Sequence, residues 1–321
     1  VAQSVLTPAE QKAHPGWLAW AALGVVYVVW GSTYLAIRFT VESMPPFLAA
    51  GTRFLIGGTI LALIVMVVAG RSALRMTRAQ FGTAVLIGLL LPGWGNGLVG
   101  FAELHVASGL AALLVACVPL YVVLMRAAFG DRPPPVTLAG VGVGMVGLGL
   151  LLFGGPVEGA HGSAWWGPWV VLIAAFGWSL GSVLSTRLPV PANPFALSAV
   201  EMIAGGAGQL VVGASIGEKV DFGTITTQSW WAWGYLVVVG SLFAFSSYVY
   251  VLGKLPVSTV ATYAYVNPVI AVLLGVLLAG EVFGWAQLGG GLVVLLAVVL
   301  VVRAEQGKKR TKELEVEPCA R

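Results

Sequence analysis

Charge is what this chain of 321 residues has least of: Lys, Arg, Asp and Glu together make up 9% of it. Soluble domains carry about 25% charged residues, so there is too little charge here to clothe a water-facing surface. That shortage excludes a soluble globular enzyme, a disordered protein and a nucleic-acid binder. Cysteine is nearly absent too, and Cys117 in an apolar run with Cys319 in the charged tail makes no disulfide framework. What fills the chain instead is apolar: 58% belongs to the AVILMFWYC set, and 43 residues are Gly. The composition is that of a polytopic membrane protein.

A membrane-spanning helix needs about 20 mostly apolar residues. Such runs fall near 17–37, 46–69, 80–100, 108–125 and 136–153, then near 164–186, 194–215, 231–252, 258–279 and 284–302. The expected fold is all-α, with ten transmembrane helices. The first run is expected to stay in place rather than be cleaved as a signal peptide, because it is long and follows a weakly charged start. If the N-terminus is cytoplasmic, fourteen of the 17 basic residues lie on the inside, six of them in the tail from Arg303 to Arg321. Arg38 and Lys219 fall in outside loops, and Arg53 lies within a span. The positive-inside rule then places both termini in the cytoplasm, which an odd number of spans would forbid.

The two halves repeat. At an offset of 148, Trp30 meets Trp178, Pro46-Phe47 meets Pro194-Phe195, and Gly57-Gly58 meets Gly205-Gly206. At 149, His105 meets Lys254 and Pro119 meets Pro268; at 150, Gly130-Asp131 meets Gly280-Glu281. Five spans per unit start the second unit from the opposite side of the membrane, so the two five-helix repeats are expected to be inverted. That arrangement alternates access to a midplane site in many secondary transporters. The expected organisation is a tail at 1–16, repeat 1 at 17–153, a loop at 154–163, repeat 2 at 164–302 and a basic tail at 303–321.

Trp30-Gly31-Ser32-Thr33, Gly95-Asn96-Gly97-Leu98, Ser108 to Leu113 (Ser-Gly-Leu-Ala-Ala-Leu), Ala261 to Pro268 and Gly280-Glu281 give the chain a family likeness. Over about 17–302 it resembles two EamA-type units of the drug/metabolite transporter superfamily. Gly130-Asp131 stands where that pattern has Gly-Glu. The resemblance implies export of small metabolites, amino acids or amphipathic compounds through a cavity between the halves. It also implies a moving core of helices 1–4 and 6–9, with 5 and 10 at the periphery.

Several residues could carry this chemistry. Arg53 and Glu201 are charges within spans at equivalent repeat positions, about 11 Å into their helices. Intramembrane ionisable groups default to functional hypotheses. The two are read either as an ion pair locking helix 2 to helix 7 or as substrate contacts, with Glu201 also able to bind a coupling proton. Glu103 and His105, near the outer end of helix 3, are either a solvated loop pair or a proton relay. Trp30, Trp94, Asn96 and Trp178 suit an apolar, aromatic cavity with few polar groups, whereas Trp165, Trp166, Trp230, Trp231 and Trp233 sit at span ends as interfacial anchors. Thr259, Tyr263 and Asn267 share one face of helix 9. Pro119 and Pro268 each free a carbonyl, at Val115 and Ala264; they are expected to kink their helices, with the freed carbonyls as ion or substrate ligands the second reading. The glycines of helices 5 and 10 read as sites of close helix packing.

Other function classes fare worse. A channel could be lined by the same helices, but rings of like charge are absent. For an intramembrane enzyme, Gly213-Ala214-Ser215 starts like a rhomboid-type nucleophile motif, but Ile216 follows and all 3 histidines precede that serine. No His-Glu-x-x-His or Gly-x-x-x-x-Gly-Lys-Ser/Thr occurs, so neither a zinc protease nor a primary ATPase fits. No catalytic residue, cofactor or metal is therefore expected. The expected partners are a small-molecule substrate and the lipid bilayer of the inner membrane. Few charges and many aromatics favour neutral, zwitterionic or amphipathic cargo over a polyanion.

Overall fold

The structure is a computed structural model that describes residues 17–130, 133–252, 254–255, 257–260 and 262–316. The expected N-terminal tail, Asp131 and the end of the basic tail lie outside the described residues. The helices are α1 (Trp17–Val41), α2 (Pro46–Val68), α3 (Arg78–Ala102), α4 (Ser108–Ala128), α5 (Pro135–Phe153), α6 (Gly167–Ser185), α7 (Pro194–Ser215), α8 (Thr227–Tyr248), α9 (Tyr263–Ala279) and α10 (Trp285–Val316). Among the described residues nine helices are long and apolar enough to cross a membrane, and α9, with 17 residues, is shorter. A two-stranded antiparallel hairpin, β1 (Glu158–Gly159) and β2 (Gly162–Ser163), interrupts the helical pattern between α5 and α6.

The helix starts follow local chemistry. Pro46, Pro135 and Pro194 stand in the first turns of their helices, where a missing N–H costs nothing. Thr77 and Gln80 form a reciprocal capping box at α3, and Asn193 accepts from the Phe195 and Ala196 amides at α7. Gly280, at φ +65°, closes α9 in the left-handed conformation that glycine adopts without strain.

Two helices change their winding part-way. Residues Leu89–Asn96 of α3 and Leu236–Phe243 of α8 are π-helical, and the two segments start 147 positions apart. In the first, Pro92 cannot donate to the carbonyl of Gly88. In the second, Ser241 Oγ donates to the Leu236 carbonyl five residues back, at 2.9 Å. The proline-linked expectations differ in outcome. Helix α4 is interrupted at residues 116–117, just before Pro119, whereas α9 continues through Pro268.

Packing pairs each helix of the first half with one of the second. Helix α2 lies along α7, α5 along α10, α1 against α8 and α9, and α6 against α3 and α4. The α2–α7 seam is a backbone contact. A Cβ on Gly58 would lie 2.9 Å from the Ala199 carbonyl, and one on Gly206 would lie 2.8 Å from the Gly51 carbonyl. Gly147 and Gly290 face one another in the same way between α5 and α10. The largest buried cluster surrounds α4, with Leu110, Leu114 and Leu120 enclosed by α5, α6 and α10.

One glycine contact separates packing from helix propensity. A Cβ on Gly205 would lie 2.5 Å from the Gly88 carbonyl, so Gly205→Ala should destabilise the fold by about 1–3 kcal/mol through overpacking. Gly142 has nothing within 4 Å, so Gly142→Ala should be neutral or stabilising by up to about 1 kcal/mol. Thermal unfolding in detergent checks the pair. Equal losses would mean that Gly205 is not a contact glycine.

Candidate functional site

Arg53 is 6% exposed, and its guanidinium is held from two sides. Nε donates to Ser241 Oγ at 3.0 Å, and the guanidinium carbon lies 4.6 Å from the Phe54 ring centroid. Ser241 therefore both receives Arg53 and donates to the π segment that carries it. Helix α7 does the corresponding service for α3: buried Gln209 donates to the carbonyls of Pro92 at 2.7 Å and Gly93 at 3.3 Å. Sequence reasoning gave neither Ser241 nor Gln209 a role. The usable signal for Gln209 was an amide side chain inside an apolar span.

Arg53 and Asn96 line one cavity. It is a narrow cleft between α1, α2, α3 and α8 with a cavity volume of about 20 Å³, so a cargo larger than water needs the helices to part. Its other walls include Ile37, Thr40, Ala49, Gly100 and Leu236. Trp233, expected as an interfacial anchor, also lines the cavity and donates from Nε1 to the Ala49 carbonyl at 2.9 Å. Ser32 and Tyr235, whose hydroxyls are 2.7 Å apart, tie α1 to α8.

Of the two readings of Arg53 and Glu201, the ion pair is not found. Arg53 is bonded to Ser241 of α8, while the Glu201 backbone packs on Gly88 of α3 and its side chain is half-buried. The reason is helical phase. Gly51, Phe54 and Gly58 face α7, as Ala199, Met202 and Gly206 face α2. Arg53 and Glu201 each precede a seam residue by one position, about 100° around the helix. Each is therefore turned out of the seam, Arg53 towards α8 and Glu201 towards α3.

The aromatic candidates separate as well. Trp94 does not line the cavity: it is 47% exposed and donates from Nε1 to the Ile173 carbonyl of α6 at 2.9 Å. Two residues from Asn96, it projects from nearly the opposite face of its helix. Trp178 packs its ring on Gly95, in the α3–α6 contact. Trp30 is half-buried in an aromatic cluster, 4.9 Å from Tyr248 and 5.2 Å from Tyr263 between ring centroids. Asn267 is buried; turned so that nitrogen faces the carbonyls, its amide donates to Tyr27 and Tyr263, each at 3.2 Å. Thr262 also meets the Tyr27 hydroxyl, so this corner fastens α9 to α1.

Glu103 and His105 are not a solvated pair. Glu103 is 0% exposed, and neither carboxylate oxygen has a hydrogen-bond partner. His105 is half-buried, with its Nδ1 enclosed and its ring edge-on to Trp166, 5.1 Å away. Trp166, expected as an interfacial anchor, stands at the start of α6 and is half-buried against His105 and Phe101. Arg38 sits in the last turn of α1 rather than in a loop, with Nε and Nη1 buried and unpartnered. Nearby, Glu281 accepts from the amides of Ser108 at 2.6 Å and Gly109 at 2.9 Å, holding the start of α4. In the 103–107 connection, burial and the negative Glu281 push the Glu103 carboxyl well above the usual carboxylate range, and Arg38 opposes them. Glu218 performs a similar cap on α2, accepting from Phe47 at 3.2 Å and Leu48 at 2.9 Å.

Comparison with known proteins places this architecture. The EamA-like transporter family matches residues 16–153 and again residues 165–303. The chain belongs to that family. Its two EamA units also share 39% identity with the "Uncharacterized inner membrane transporter YedA" of Escherichia coli, over 87% of this chain and 89% of that one. The "Probable terminal-alkyne amino-acid exporter" of Streptantibioticus cattleyicolor is 26% identical, over 90% of this chain and 95% of its own. One solved crystal structure of a protein aligns with a TM-score of 0.61 and 22% identity, covering 90% of this chain and 98% of that one. At that identity it speaks to the fold alone. The EamA fold is thus carried here by two units of mostly helical, multi-pass membrane architecture.

Because Arg53 and Glu201 point to different helices, Arg53→Met and Glu201→Gln should lower thermal stability additively, within about 0.5 kcal/mol. A double-mutant cycle with a clear interaction energy would restore the ion pair.

Proposed function

We propose that the protein is a secondary transporter of the inner membrane that exports small carboxylate-bearing metabolites, amino acids among them. The carrying observation is the Arg53 guanidinium beside Asn96 in an otherwise largely apolar cavity. Ser241 takes Nε, which leaves the two terminal nitrogens of the fork for a carboxylate. Asn96 can donate to or accept from the cargo, and the apolar walls take its side chain. A relative named as an amino-acid exporter supports this choice of cargo.

The same reading takes all ten helices as spans, in two inverted five-helix repeats with both termini cytoplasmic. Matched π segments, matched helix partners and the two family matches support the repeat. The basic-residue bias supports the orientation. On this reading the cavity is the cargo site, and α2 and α7 rock against each other along their glycine seam to expose it to one side at a time.

Two measurements test the proposal. Reporter fusions after Gly70 and after Arg303 should both read as cytoplasmic, and a periplasmic signal at the second would remove the inverted repeat. In liposomes, counterflow of amino acids should be seen with the intact protein, whereas unsaturable flux would favour a channel. Arg53→Lys should raise KM for a carboxylate cargo about tenfold or more, the loss expected for one charge-assisted hydrogen bond. The amide analogue of that cargo should be unaffected. Equal loss for both would make Arg53 structural.

A further inference from the structure

The cavity leaves one buried charge unused. Glu103 lies in the 103–107 connection, fully enclosed, with both oxygens lacking a hydrogen-bond partner. From α1, Tyr34 and Arg38 are in electrostatic reach of it, and from the turn after α9, Glu281 is. His105 follows on its own connection. Glu281 already accepts from the Ser108 and Gly109 amides, one with each carboxyl oxygen. Two carboxylates and one guanidinium are therefore within electrostatic reach of one another around an enclosed carboxyl, and their charges do not cancel. Burying an uncompensated carboxylate is costly, and uptake of a proton relieves the cost.

The position of Glu103 connects this proton to movement. Its backbone carbonyl accepts from the Ala160 amide at 3.0 Å, and the Leu104 carbonyl accepts from the His161 amide at 2.6 Å. Both amides belong to the hairpin region between α5 and α6. A Cβ on Gly159 would lie 2.2 Å from the Val106 amide nitrogen, so the hairpin is pressed directly on this connection. Beneath it, Glu281 of the second half holds the start of α4 of the first half. Parting the halves at this face would break these contacts and let water reach Glu103.

We propose that Glu103 is a proton-binding residue of the transport cycle, protonated while this face is closed and ionised when it opens. On opening, the carboxyl O–H bond breaks, water takes the proton and the carboxylate is left facing Arg38. On closing, the carboxylate takes a proton from solvent before it is buried. The inference rests on the transporter reading for its place in a cycle, but the proton itself can be measured without cargo.

The test uses the full chain in detergent, across pH 5 to 9, with wild type, Glu103→Gln and Glu103→Asp. A carboxyl raised in the folded state contributes stability that is fully present below its unfolded-state pKa and lost as pH rises through the folded one. Wild type should therefore lose several degrees of thermal midpoint as pH rises, Glu103→Asp should follow it, and Glu103→Gln should lose clearly less. A pH profile for Glu103→Gln that matches wild type overturns the proposal. Should Glu103→Gln fail to fold, infrared spectroscopy of wild type at neutral pH decides. The carbonyl stretch of a protonated, enclosed carboxylic acid is expected, and its absence overturns the proposal. In liposomes, Glu103→Gln should transport with less than twofold change between pH 6 and 8, against several-fold for wild type. If no preparation moves cargo, the transporter reading fails, while the stability and infrared results still decide the proton.

Discussion

A backbone carbonyl left bare in hydrocarbon costs several kcal/mol, and this protein brings side-chain donors to carbonyls at the two places where its helices change winding. The side chains that answer them set the geometry of everything nearby. Gln209 reaches from α7 to the Pro92 and Gly93 carbonyls, and Ser241 turns back on Leu236 while receiving Arg53 from α2. Each π segment is thereby fastened to a helix of the other half. The cavity beside Arg53 follows from that fastening. Asn96 and Leu236 of the two π segments line the cleft between α1, α2, α3 and α8, and the guanidinium that bonds Ser241 lies in its wall. Local defects of this kind recur at functional sites because they place polar groups where a regular helix would hide them.

Close approach is the second condition. Gln209 can reach the carbonyls of α3 only because Gly205 lets α7 lie against Gly88 and Gly93. The α2–α7 seam depends on Gly51, Gly58 and Gly206 in the same way. Between helices in a membrane no hydrophobic drive remains, so such backbone contact supplies much of the attraction. A seam of small residues also slides with little steric resistance. The feature that packs the two halves is thus compatible with the rocking proposed for them.

Much of the fold was legible from composition and spacing. Apolar runs marked the helices, Pro at helix starts set their boundaries, and the repeat appeared in paired Trp, Pro and Gly positions. The site was legible only in part. Arg53 and Asn96 stood out as polar residues within spans, and they do share a cavity. Depth along a helix can be counted from sequence, and this suggested that Arg53 could meet Glu201. Azimuth decides contact, and it depends on which residues form the seam. The same one-dimensional view put Trp94 with Asn96 and left Glu103 in solvent. A carboxylate just beyond a span reads as exposed unless the hairpin that covers it is known, and nothing in residues 158–163 signals such a cover.

The repeat itself explains why the two halves need not be chemically alike. Equivalent positions on α2 and α7 face equivalent neighbours, so Arg53 meets the α8 winding defect and Glu201 faces the α3 side. On α2 the polar link to a π segment is made from position 53; on α7 it is made from position 209, two turns further along. Glu201 is thereby freed from the fastening that Arg53 performs. A pseudo-symmetric scaffold can satisfy its backbone constraints on both sides with different side chains at different levels. The charged group that remains beside the cavity is then a cation on one side only. In the proposed transporter, that asymmetry is what would favour a carboxylate over a cationic cargo.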